Sequence, residues 1–152
     1  MATAKPPPAP SENCLLGALP PAVYRRLLPR LEAVGLPFRQ VLYPAGGPID
    51  HVYFPSRGVM SVVAVMADRR TIEVGLCGRE GAVGAAAILG DPTSPYKVLV
   101  QVEGDGVRIG TEDFRAAAGP GGPLHRRLAR YHAAFLTQVS QSVACNGLHP
   151  VA

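Results

Sequence analysis

The sequence has no tryptophan, only three cysteines and a charged fraction of just 17%. Cys14, Cys77 and Cys145 lie far apart, are odd in number and form no CxxC pair, which argues against a disulfide framework, a zinc ribbon or an iron–sulfur site. Cys77 and Cys145 sit in apolar stretches and read as small buried hydrophobes. No run approaches the ~18 consecutive apolar residues of a membrane helix. No apolar segment follows Lys5, so no signal peptide is read and a cytoplasmic location is expected. Histidines are equally sparse: His51, His125, His132 and His149. Only His51 falls among the strand-like segments, where it reads as structural, because a barrel metal site needs several ligands converging from neighbouring strands. There is no HExxH and no recognisable nucleophile motif. The sequence therefore points away from an enzyme, with no catalytic residue, metal or cofactor expected.

What is present suits one domain of short elements. The 152 residues are 47% apolar, enough for a core, and include 17 glycines and 16 prolines. That mix favours many turns over a helical bundle. The net charge of +4 permits an acidic partner. The densest basic run, His125, Arg126, Arg127 and Arg130, reads as a solvated helix face.

Residues 1–12 form a Pro/Ala-rich tail expected to be disordered. Pro20 and Pro21 suit a first helical turn, and Val23, Leu27, Leu28 and Leu31 follow at helical spacing. Gly35 and Pro37 are expected to end that helix. The period then changes. Gln40–Tyr43, His51–Phe54, Val59–Val65, Thr71–Leu76 and Val98–Val102 read as short strands. Turn signals at Pro44–Pro48, Pro55–Gly58, Asp68–Arg70 and Gly104–Gly106 separate them, a spacing that suggests a sandwich or rolled barrel. The run from Gly84 to Leu89 reads as one short helix between strands. Thr111 suits an N-cap for a helix over 112–118. After Gly119–Pro123 a longer helix begins, with Leu128, Tyr131, Phe135, Val139 and Val143 along one side and Gly147 and Pro150 at its end.

Four ordered blocks carry a resemblance: Tyr43-Pro44-Ala45-Gly46; His51 to Gly58; Thr71-Ile72-Glu73-Val74-Gly75; and Gly78-Arg79-Glu80-Gly81-Ala82-Val83-Gly84. With the tail from Gln138 to Asn146, they resemble the effector domain of Crp/Fnr-type transcription regulators over about Cys14 to His149. The resemblance implies an antiparallel β-roll of the cyclic-nucleotide-binding type, with flanking helices and a long C-terminal helix that pairs in a homodimer. It divides the chain into a tail (1–12), an effector roll (13–122) and a dimerisation helix (123–149).

The same resemblance marks two departures. Cyclic-nucleotide binders of the family hold the ribose with a Glu after the glycine that opens the short helix, and the phosphate with an Arg followed by Ser or Thr. Here Gly84 is followed by Ala85, and the Arg–Ser step falls near Pro95-Tyr96. Cyclic AMP is therefore not expected in the usual mode, although a small-molecule effector is. The candidate ligand residues are Arg79, Glu80, Gly81, Val83, Gly84, Ala85, Tyr96 and Lys97. An apolar pocket lined from Val83 to Leu89, or one filled by its own side chains, is an equal expectation. The family's helix-turn-helix has no counterpart within these residues, so DNA binding by this chain alone is not expected. The leading reading is a sensor domain, with a non-binding dimerisation module as the alternative.

Overall fold

Two long segments carrying β-branched residues at both ends become the two longest strands. The computed structural model describes residues 12–88, 90, 92–119 and 121–148. In chain order these form α1 (Cys14–Gly17), α2 (Pro21–Leu27) with a 3-10 turn (Leu28–Arg30), β1 (Glu32–Leu36), β2 (Val41–Tyr43), β3 (His51–Val65) and β4 (Thr71–Cys77). A 3-10 turn (Ala85–Ala87), β5 (Lys97–Gly110), α3 (Thr111–Ala118) and α4 (Pro123–Leu148) follow. The strands pair antiparallel in the order β1-β5-β3-β4, with β2 also on β5. The sheet and its flanking helices are the antiparallel β-roll expected from the sequence, with the long helix after it.

Several details differ from the sequence reading. His51–Phe54 and Val59–Val65 are parts of one strand, and Val98–Val102 runs on to Gly110. β3 and β5 pair along their length, from His51↔Gly110 to Val63↔Lys97, with register shifts between Pro55 and Met60. The stretches Pro55–Gly58 and Gly104–Gly106 thus face each other as bulges that bend a continuous ribbon, a setting that tolerates a strand proline. An Arg57–Asp105 ion pair of 2.6 Å lies across the bend.

The first helix also ends early. Pro29 has no amide hydrogen to continue the i→i−4 ladder, and only a 3-10 turn follows before Glu32–Leu36 joins β5 as a strand. Thr111 is not a cap but the first residue of α3. Its hydroxyl donates instead to the Ile49 carbonyl at 2.6 Å. Cys145 is exposed rather than buried. Residues 1–11, Leu89 and residues 149–152, where the tail, part of the short helix and the helix stop at Pro150 were expected, lie outside the described residues.

The roll buries two apolar clusters. On one side Val52, Phe54, Val107 and Ile109 meet Leu16, Val23, Leu27 and Phe114 from the helices. The Phe54 and Phe114 rings cross edge to face at 5.6 Å. Leu124 and Leu128, from the first turns of α4, complete this cluster. Leu128 is 0% exposed. The expectation that Leu128 forms a dimer seam is thereby corrected: its own chain takes its whole surface, a burial worth about 1.5–3 kcal/mol. The second cluster, inside the roll, contains Leu36, Tyr43, Met60, Val62, Val98 and Val100, with Tyr131 and Phe135 of α4 packed on it.

Candidate ligand site

The short cassette between β4 and β5 is held from both ends. Asn13 caps α1 by accepting from the Leu15 and Leu16 amides at 3.0 and 3.2 Å. Its Nδ2 donates to the carbonyls of Pro55 (2.8 Å) and Gly81 (3.0 Å). This buried side chain therefore ties the helix to the strand bend and to the Gly78–Gly84 loop. Val83 and Tyr53 exchange backbone hydrogen bonds at 2.9 and 3.0 Å. Gly84 adopts φ +90°, and a Cβ there would run into the Tyr43 hydroxyl and the His51 carbonyl. Only glycine meets both conditions without strain. The Tyr43 hydroxyl donates towards the carbonyls of His51 and Val83. Burial holds its pKa well above the ordinary phenol range, so it stays a donor. At the far end, Arg115 donates through Nε (3.2 Å) and Nη2 (2.8 Å) to the Ala87 carbonyl.

α4 forms the roof. Tyr131 lies over Gly81 and Phe135 over Gly75, and a Cβ at either glycine would overlap the ring above it. Gln138 accepts from the Leu76 amide of the edge strand β4 at 3.2 Å. Between roof and sheet lies a cavity of about 290 Å³. The sheet contributes Tyr43, Val62, Val74, Cys77 and Val98 to its wall, and the cassette contributes Val83, Gly84 and Ala86. Ser94, Pro95 and Tyr96 come from the loop before β5, and Tyr131, His132, Phe135, Leu136 and Val139 from α4. Among the described residues, none that lines the cavity is Lys, Arg, Asp or Glu.

Burial disfavours the charged forms of Cys77, Tyr131 and His132 in the wall. Burial pushes the Cys77 thiol up to about 12, which makes it an inert filler rather than a nucleophile. The Tyr131 hydroxyl is likewise raised by burial. The pKa of His132 is lowered by burial, favouring the neutral imidazole.

Of the candidates read from the sequence, Val83, Gly84 and Tyr96 line this cavity. Gly81 is buried beneath Tyr131. Arg79 and Glu80 are exposed outside the wall, and Glu80 accepts from the Gly78 amide at 3.0 Å. Lys97 is half-buried at the start of β5 and is not a lining residue. Ala85 is corrected: it is 1% exposed and packs in the helix-covered cluster, while Ala86 faces the cavity. Successive side chains of a 3-10 turn point about 120° apart, so neighbours serve different sides.

Of the helix stripe, Tyr131, Phe135 and Val139 face the cavity, whereas Val143 is 62% exposed. Sequence reasoning missed His132, Leu136, Tyr43 and Ser94. His132 carried one usable signal: it stands four residues after Leu128 and three before Phe135, which places all three on one helix face.

The family model for the cyclic nucleotide-binding domain matches residues 35–118. A search of curated protein sequences gives no match. Among solved structures, the chain is similar to the c-di-GMP-responsive global regulator CLP of Xanthomonas campestris, with 17% identity and a TM-score of 0.70. That likeness covers 83% of this chain but only 64% of the regulator's length. It is also similar to the N-terminal domain of a transcriptional regulator from Streptomyces coelicolor, with 18% identity, a TM-score of 0.61 and coverage of 86% and 92%. A cyclic nucleotide-binding domain from Methylobacillus flagellatus aligns at 12% identity and TM-score 0.70, covering 88% of this chain and 78% of that one. At these identities the likeness is one of fold. With the family model spanning more than half its length, the chain belongs to the cyclic nucleotide-binding domain family.

Proposed function

We propose that this chain is the ligand-sensing domain of a Crp/Fnr-type transcription regulator, and that it does not bind cyclic AMP in the usual mode. Its roll (13–122) would act as the sensor body and its helix (123–149) as the output. The observation that carries the reading is the double role of α4. One stretch, Tyr131 to Val139, roofs the cavity, while the next turns leave the roll with Val143 and Leu148 exposed. A molecule bound under the roof bears directly on the segment that would pair with a second copy. It shifts that pairing to the extent that it binds one arrangement more tightly than the other. That no Lys or Arg lines the wall among the described residues supports the departure from cyclic AMP, because a buried phosphate without a paired charge is strongly disfavoured.

Cys145 supplies the test. It is exposed on α4, and replacing Cys14 by Ser leaves it the one exposed thiol among the described residues. Spin labels on Cys145 are expected to show a short inter-label distance, since paired helices pack with axes about 8–10 Å apart. That distance is expected to change when the cavity is filled. Absence of dipolar coupling at high protein concentration would remove the homodimer. A large thermal stabilisation by cyclic AMP would remove the claim about its binding mode.

A further inference from the structure

The cavity wall is almost entirely committed. The Tyr43 hydroxyl is spent on backbone carbonyls. The Ser94 hydroxyl donates to the Tyr96 carbonyl at 2.6 Å and accepts from the Tyr96 amide at 3.3 Å. The Cys77 thiol donates to the Gly78 carbonyl at 3.6 Å. His132 stands apart. It lines the cavity, and its Nε2 is buried with no hydrogen-bond partner among the described residues. A buried polar atom without a partner is uncommon in native structures and costs free energy until something meets it. We infer that the cavity selects a compact, largely apolar molecule bearing one hydroxyl or carbonyl group, and that His132 is the residue that reads that group.

Three observations set the ligand class. At about 290 Å³ the cavity is at the small end of ligand pockets. Aliphatic and aromatic side chains make up most of the wall, from Ile49, Val62 and Val98 below to Phe135, Leu136 and Val139 above. Among the described residues, its lining includes no Lys or Arg to pair with a phosphate or carboxylate. A neutral imidazole offers one donor and one acceptor nitrogen, so Nε2 can meet either a hydroxyl or a carbonyl. This inference rests on the cavity being the sensor site and adds the chemistry of what enters it.

The test compares 2-naphthol with naphthalene as probes of the whole chain. The protein has no tryptophan, so probe fluorescence is read with little background. A wholly apolar cavity would prefer naphthalene. The wild type is expected to prefer 2-naphthol by up to roughly tenfold, the worth of one hydrogen bond to a buried partner. His132→Leu is expected to abolish that preference, and His132→Gln to restore part of it. On the wild type itself, the 15N signal of His132 Nε2 is expected to move with 2-naphthol and not with naphthalene. This readout holds even where a variant fails to fold. Equal preference in the wild type and His132→Leu, or a still Nε2 signal with 2-naphthol bound, overturns the inference. A tight complex with cyclic AMP and none with 2-naphthol overturns it too, while leaving a sensor. Conversely, 2-naphthol binding through His132 with no change in the Cys145 distance supports the inference and refutes the sensing mechanism.

Discussion

Replacing Leu128 by Ala separates the part of α4 that belongs to the roll from the part that leaves it. Leu128 is fully buried in the cluster that also holds Leu27, Phe114 and Leu124. Removing its side chain from a site with no exposure creates a cavity as well as losing the transfer free energy, about 2–5 kcal/mol for a Leu→Ala change in a core. For a chain of this size each kcal/mol is worth about 2–4 °C, so a loss of roughly 3 kcal/mol lowers Tm by about 6–12 °C. Val143, fifteen residues along the same apolar stripe, is 62% exposed. Val143→Ser is expected to change the intrinsic stability by no more than about 0.5 kcal/mol. The assay is urea unfolding of both variants at several protein concentrations. Leu128→Ala should lower stability equally at every concentration. Val143→Ser should act only through any concentration-dependent part, as expected of a residue that touches a second copy. A cost under about 1 kcal/mol for Leu128→Ala, or a cost that disappears on dilution, would refute the placement of the first turns of α4 in the roll's own core.

Other outcomes follow from the cassette and its roof. Gly84→Ala meets both a positive φ and the Tyr43 hydroxyl, and should cost about 1–3 kcal/mol by thermal unfolding. Tyr43→Phe removes the one O–H shared by the His51 and Val83 carbonyls, of which Val83 keeps the Tyr53 amide, and should cost a similar ~1–3 kcal/mol, with the circular dichroism of the sheet unchanged. Burial depresses the His132 pKa in the folded state, so the unfolded chain binds more protons at mildly acidic pH. The stability His132 contributes is therefore fully present above its unfolded value of about 6.5 and is lost as pH falls from there through the folded value. Thermal melts across that window should show a slope that His132→Gln reduces, and an identical slope in the variant would count against a buried imidazole.

Much of the fold could be read from period alone, and the failures share a cause. Proline and glycine mark a break in regular pairing, but Pro55–Gly58 and Gly104–Gly106 break it as facing bulges rather than as turns. The two kinds of break have the same local chemistry and differ only in what lies across the sheet. The apolar stripe of α4 was plain in the sequence, yet its spacing is the same where it meets the chain's own core, at Leu128, and where it leaves it, at Val143. Helical periodicity reports that a face is apolar and says nothing about whose surface covers it. Ala85 and Ala86 are indistinguishable by composition and were separated only by the 3-10 geometry that turns one to the core and the other to the cavity. In the site, Val83, Gly84 and Tyr96 were legible because the cassette blocks are contiguous in sequence. His132 lies far along the chain, and its role depends on the tertiary seat that Gly75 and Gly81 provide for Phe135 and Tyr131.

Amide hydrogen exchange along α4, with the cavity empty and then saturated by 2-naphthol, tests most directly whether occupancy under the roof reaches the helix. Exchange at Tyr131 to Val139 should slow on binding, and the turns from Ser140 to Leu148 should change with it while α2 stays as it was. An exchange profile of α4 that is identical with and without bound probe would contradict the account.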